Sequence, residues 1–127
     1  MNKKRPVNLD VTTIKLPLPA YTSILHRVAG ILLFVAMGWA LYGLHLSLMS
    51  AESFESLKEL CSSTPVKLGV WIILSALIYH CVAGIKHLLM DVDIGDGKES
   101  GKVGAIVTLV VSAILIILAG GWIWLPV

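Results

Sequence analysis

The sequence predicts an all-α membrane protein with three transmembrane helices and a cytoplasmic N-terminus. Three observations carry that reading. Of 127 residues, 57% are hydrophobic and only 14% charged, where ordinary globular chains are about a quarter charged. Mean hydropathy is +0.86. Three runs are each long enough to cross about 30 Å of hydrocarbon at 1.5 Å of rise per residue. So few polar residues cannot cover that much apolar surface in water, and the expected solvent is lipid. The formal charge of +2 is too small to point to nucleic acid.

The elements follow in order. Residues 1–22 form a basic arm broken by Pro6, Pro17 and Pro19. It lacks a short apolar core followed by a small-residue cleavage site, so it is expected to stay on the mature protein rather than leave as a signal peptide. The membrane domain is residues 23–127. Its first span runs over 23–49, free of charge after Arg27. A polar connection, "SAESFESLKELCSSTP", leads to the second span at 66–90. The third, at 103–127, carries no charge and ends in the Trp122/Trp124 pair. Backbone polar groups in hydrocarbon must be bonded internally, which requires helices. No internal repeat is expected. Cys61 falls in the connection and Cys81 in mid-span. A disulfide between those depths is geometrically disfavoured, and both read as free thiols.

Lysine and arginine positions set the orientation. Lys3, Lys4, Arg5, Lys15 and Arg27 lie on the N-terminal side, and Lys86, Lys98 and Lys102 flank the second connection. The first connection has Lys58, with Lys67 just beyond it, and the C-terminus has none. The positive-inside tendency therefore places the N-terminus and second connection in the cytoplasm. The start of span one and the end of span two then share a depth, which brings "TSILHR" (Thr22–Arg27) level with "YHCVAGIKH" (Tyr79–His87).

His80 lies six residues inside Lys86, roughly 9 Å of helix rise. An intramembrane ionisable residue needs a partner and is a functional candidate. A neutral histidine bonded to a neighbouring helix is the plainer reading. The sharper one is an axial ligand to a haem, whose ring needs small neighbours to approach the backbone; Ala76, Ala83 and Gly84 flank His80 at helical spacing. His87 is one heptad along on the same face, about 10 Å away. It is placed to reach a haem propionate rather than the same iron, or else to form an interfacial pair with Lys86. On span one, Ser23 and Arg27 are four apart and share a face. A hydroxyl and a fixed cation there suit a lipophilic carbonyl ligand such as a quinone; Arg27 could instead meet a propionate or anchor the span in the headgroups. His45, near the outer end of span one, reads as interfacial. Phe34, Trp39, Tyr42 and Trp71 read as lipid-facing or packing aromatics. No second iron ligand is evident, since His26 stands at the start of a span beside Arg27. A ligand from another chain is the simplest solution.

"RPVNLD" (Arg5–Asp10), "SILHRVAG" (Ser23–Gly30) and "HCVAGIKHLLMD" (His80–Asp91) together resemble the cytochrome b subunit of succinate dehydrogenase, the larger membrane anchor of complex II. The resemblance extends from Arg5 through the third span. It implies a bacterial inner-membrane assembly with a flavoprotein, an iron–sulfur subunit and a second three-helix anchor. This chain would then be a non-flavin subunit that does not itself oxidise succinate. It would share haem b with the second anchor through His80. It would also form part of a ubiquinone site with Ser23, Ile24 and Arg27, while His26, Arg27, His87 and Lys86 would lie toward the haem propionates. Electrons would pass singly to ubiquinone, with protons taken from the cytoplasmic side. Two positions depart from the family pattern: Ala29 replaces a usual Ser or Thr, and Lys86 replaces an arginine, losing its planar fork. The competing readings are a menaquinone-linked fumarate reductase anchor, which shares the architecture, and a structural anchor with no cofactor.

Overall fold

The computed structural model describes residue 5, residues 7–10 and residues 12–126. Lys3 and Lys4 of the basic arm, and Val127 at the end of the third span, lie outside the described residues. Among the described residues the structure is entirely helical, with α1 at Leu18–Met49, α2 at Ala51–Ser62, α3 at Thr64–Asp91 and α4 at Lys98–Trp124. Three of these, α1, α3 and α4, are long and apolar enough to cross a membrane.

All three spanning helices begin earlier than the hydrophobic pattern suggests, α3 by two residues at Thr64 and the other two by five. Helix α1 starts at Leu18 rather than Ser23, with Pro17 as N-cap and Pro19 in the first turn. Proline fits there because its fixed φ suits a helix and the first N–H groups lack intrahelical partners anyway. Helix α4 starts at Lys98 rather than Val103, with Gly97 as N-cap and Glu99 in its first turn, where the helix dipole favours negative charge. At 32 residues, α1 is about 48 Å long, well beyond the hydrocarbon thickness, so its first turns belong to the interface.

The polar first connection is a helix, not a loop. The Ser50 hydroxyl accepts from the Ser53 amide at 3.0 Å, capping α2. The Ser53 hydroxyl donates back to the Leu46 carbonyl of α1 at 2.7 Å. Ala, Glu, Leu and Lys dominate the segment and favour helix, and Lys58 pairs with Glu55 at 3.2 Å on its exposed face. Low hydropathy reads as a loop when the question is only which runs span the membrane. Before α1, the Asp10 carboxylate accepts from the Thr12 hydroxyl at 2.7 Å and the Thr12 amide at 2.9 Å. Those bonds form an Asx turn and hold the carboxyl below its usual range.

The bundle inverts the rule of soluble cores. Its buried residues are small: Ala29 and Ala36 on α1, Ala83 on α3, and Ala105, Thr108, Ser112, Gly101 and Gly120 on α4. Large apolar side chains face outward, with Phe34 78% and Trp39 73% exposed. In lipid, burying leucine brings no hydrophobic gain. Helices associate through close packing, and small residues permit the approach. Helix α3 packs against both α1 and α4, and α1 also meets α4. Trp71 is a packing aromatic: its indole N–H donates to the Ile116 carbonyl at 3.0 Å. Its ring lies over Gly120, where an added Cβ would come within 2.9 Å.

Gly120→Ala should therefore force the Trp71 indole aside and weaken α3–α4 packing by about 1–3 kcal/mol, seen as a lower thermal midpoint of the purified complex. Gly43→Ala, whose Cβ would enter open space, should leave that midpoint unchanged or higher.

Candidate functional site between the first and third helices

The site forms where α1 and α3 cross. His80 of α3 lies over Gly30 of α1, where an added Cβ would stand 3.1 Å from His80 Cε1. Reciprocally, His26 of α1 lies over Gly84 of α3, where a Cβ would stand 3.6 Å from His26 Nε2. These pairings run in opposite directions along the two helices, so the crossing is antiparallel. The imidazoles of His26 and His80 stack at 4.1 Å between centroids and 11° between planes, and His87 lies 5.1 Å from His26 at a tilt of 55°.

This geometry comes from a short repeat that the reading for repeats overlooked. His26-Arg-Val-Ala-Gly30 recurs as His80-Cys-Val-Ala-Gly84. Each copy supplies a histidine and, one turn on, the glycine that receives the other copy's histidine. Each also supplies the alanine buried between them, Ala29 at 8% and Ala83 at 1% exposure. Five residues are too short to stand out as a repeat in an apolar chain, but the identical spacing on two helices was visible.

The polar connections fix His80. Its Nδ1 is 3.1 Å from the His26 carbonyl oxygen. A carbonyl can only accept, so Nδ1 carries the proton and Nε2 keeps its lone pair. His26 Nε2 is buried without a hydrogen-bond partner, as is the Ser112 hydroxyl of α4. Tyr79, which the sequence reading did not single out, donates from its hydroxyl to the Thr22 carbonyl at 2.7 Å. This bond ties α3 to α1 one residue from His80. Tyrosine beside a histidine in a membrane span was its only sequence signal.

The other expected site residues divide. His26 belongs inside the bundle: α1 begins at Leu18, so His26 is two turns into the helix rather than at its start. His26, His80 and His87 come together. Ser23 is half-buried, while Ile24 and Arg27 are exposed on the flank of α1, open to another chain or to lipid. Lys86 does not join the histidines. Its side-chain carbons pack on Gly104 of α4, with Cε 3.5 Å from where a Cβ would stand. His45 is exposed, as an interfacial residue would be, and Cys61 and Cys81 are free thiols.

These features fit a b-type haem. His80 presents one nitrogen lone pair, its tautomer set by a carbonyl, and Gly30 lets its ring lie close against α1. His26 Nε2 faces the interior with its hydrogen-bonding capacity unused. The stacked rings of His26 and His80 leave no gap in which both could hold one iron between them. His80 would be the ligand and His26 the polar contact.

Fold and site together define a small helical membrane protein of three spanning helices with a histidine cluster between two of them. Residues 1–119 match the model of the succinate dehydrogenase/fumarate reductase transmembrane subunit family, and the chain belongs to that family. It is 47% identical over 125 residues to the succinate dehydrogenase cytochrome b556 subunit of Coxiella burnetii, covering 98% of this chain and 100% of that one. The mitochondrial cytochrome b560 subunit of Mus musculus is 34% identical over 74% of this chain and 57% of its own length. The cytochrome b556 subunit of Rickettsia felis is 27% identical over 91% of this chain and 90% of its own. The resemblance to a cytochrome b subunit of succinate dehydrogenase, read from the motifs, is borne out.

Tyr79→Phe removes the hydroxyl bond to Thr22 while keeping the ring. It should cost about 0.6 kcal/mol, the average for interhelical hydrogen bonds in a membrane protein, and at most about 1.7 kcal/mol. Thermal unfolding of the complex with and without the change measures it.

Proposed function

We propose that this chain is the membrane subunit through which a bacterial inner-membrane succinate dehydrogenase delivers electrons to ubiquinone, holding haem b jointly with a second three-helix anchor. The observation that supports the proposal is the seating of His80 over Gly30, with Nδ1 committed to the His26 carbonyl and Nε2 free. Bound haem would supply a one-electron redox centre.

This chain's own residues do the rest. His80 would hold the haem through Nε2. His26 of α1 and His87 of α3, whose rings lie 5.1 Å apart, would offer ring nitrogens to its propionates, and Arg27 would offer a guanidinium. At the quinone, the Ser23 hydroxyl donates to a carbonyl oxygen. Arg27 stabilises the negative charge that develops there on reduction, and Ile24 contributes apolar contact one residue from Ser23. Protons taken up on reduction come from the cytoplasmic side, where the lysine and arginine distribution places these residues. Because Ile24 and Arg27 are exposed in this chain, the quinone pocket is closed by other subunits. The iron–sulfur subunit delivers the electrons that the flavoprotein takes from succinate.

A reduced-minus-oxidised spectrum of the purified complex should show a b-type band, and an absent band would overturn the haem assignment. His80→Leu should abolish or displace that band. Gly30→Ala should shift it, because a methyl group 3.1 Å from His80 Cε1 displaces the ligand ring, whereas Gly38→Ala, in open space, should not. Arg27→Leu removes a charge-assisted hydrogen bond of about 1.5–3 kcal/mol and should slow succinate–ubiquinone turnover about 10- to 100-fold. Succinate–dye activity should stay nearly unchanged; loss of both activities would indicate failed assembly.

A further inference from the structure

Lys86 is left over by the site just described. It lines an apolar groove between α3 and α4 of about 530 Å³, with Val82, Ile85 and Leu89 along α3 and Val107 and Val111 along α4. At 3.6 residues per turn these α3 positions project away from His80, Gly84 and His87, so the groove and the histidine cluster occupy different sides of one helix. Its floor is closed by Gly104, on which the Lys86 stem rests. Among the described residues the single salt bridge joins Lys58 and Glu55, and nothing pairs with the Lys86 ammonium. The acids nearest in sequence, Asp91, Asp93, Asp96 and Glu99, are exposed, and none of them lines the groove.

We infer that this groove is a binding site for one anionic phospholipid, with the headgroup phosphate on the Lys86 ammonium and an acyl chain along Val82, Ile85, Val107 and Val111. The apolar length of the groove suits a hydrocarbon chain. Its single unpaired cation sits at the end where α3 leaves the membrane, at headgroup depth. Positive charge between transmembrane helices on the cytoplasmic side attracts acidic lipid headgroups at about 1 kcal/mol for each lysine or arginine. A lysine that merely snorkelled would need only exposed lipid around it. Here the stem is held in a recess on Gly104, which fixes where the ammonium emerges. The inference uses no part of the haem or quinone reading.

The test uses the complete complex, delipidated in mild detergent and titrated with phosphatidylglycerol or with phosphatidylcholine of the same chains, with bound lipid counted by native mass spectrometry. The wild-type complex should retain one phosphatidylglycerol in preference to phosphatidylcholine. Lys86→Gln should weaken phosphatidylglycerol retention about fivefold without changing phosphatidylcholine, and Lys86→Arg should preserve the preference. Val107→Trp, which fills the groove and leaves the cation, should lower retention of both lipids. Equal retention of the two lipids by the wild type, or an unchanged preference in Lys86→Gln, overturns the inference. If Lys86→Gln disturbs assembly, a photoreactive residue at position 107 in the otherwise wild-type complex decides alone. A cross-link to phosphatidylglycerol supports the site, and a cross-link to another protein subunit overturns it.

Discussion

The structure depends on how closely α1 and α3 approach at the reciprocal crossing of His26 and Gly30 with His80 and Gly84. In lipid no hydrophobic force drives two apolar helices together, so proximity has to come from shape. Two glycines remove the side chains that would hold the backbones apart, two alanines fill the seam, and each imidazole occupies the space the opposite glycine leaves. The Tyr79 hydroxyl on the Thr22 carbonyl and the His80 ring on the His26 carbonyl then fix the register with directional bonds. A methyl group at Gly30 would press on the His80 ring itself, so helix packing and the placement of that ring cannot be varied independently there.

Helix α4 completes the bundle by a different device. Trp71 lies flat on Gly120 and donates to a carbonyl of α4, so one large aromatic and one glycine do for α3–α4 what two histidines and two glycines do for α1–α3. At the other end of that seam Lys86 crosses Gly104 without any aromatic cover, and the helices leave a groove. One side of α3 thus carries His80 and His87 toward α1, while the other meets α4. The tight turn that returns the chain at this end uses left-handed backbone at Asp93, with φ 60°, and Gly95, with φ 78°, bringing α4 back beside α3.

The site is incomplete within one chain, and its geometry accounts for that. The stacked His26 and His80 rings exclude a bis-histidine iron between them. Ser23, half-buried, and the exposed Ile24 and Arg27 line no enclosed cavity. Exposed flanks of this kind suit a family whose members are transmembrane subunits of succinate dehydrogenase or fumarate reductase.

The sequence alone determined the class of molecule, because hydropathy and length decide which segments lipid can accept whatever their neighbours are. It also marked His80, since a titratable side chain deep in a span demands a partner. It misjudged what depends on local backbone chemistry beneath the hydropathy signal: the α2 helix capped by Ser50, and the early starts of α1 at Leu18 and α4 at Lys98. Only the tertiary structure decided the rest. Residues 26 and 80 are far apart along the chain, and helical periodicity could not show that each histidine faces the other's glycine, that His26 stacks inside the bundle, or that Tyr79 reaches Thr22. Lys86 stands one position from His87, yet that position is roughly 100° of helix rotation, enough to direct the lysine to α4 while the histidine turns toward α1. Spacing along one helix fixes relative direction. Which direction is the interior is set by the neighbouring helices.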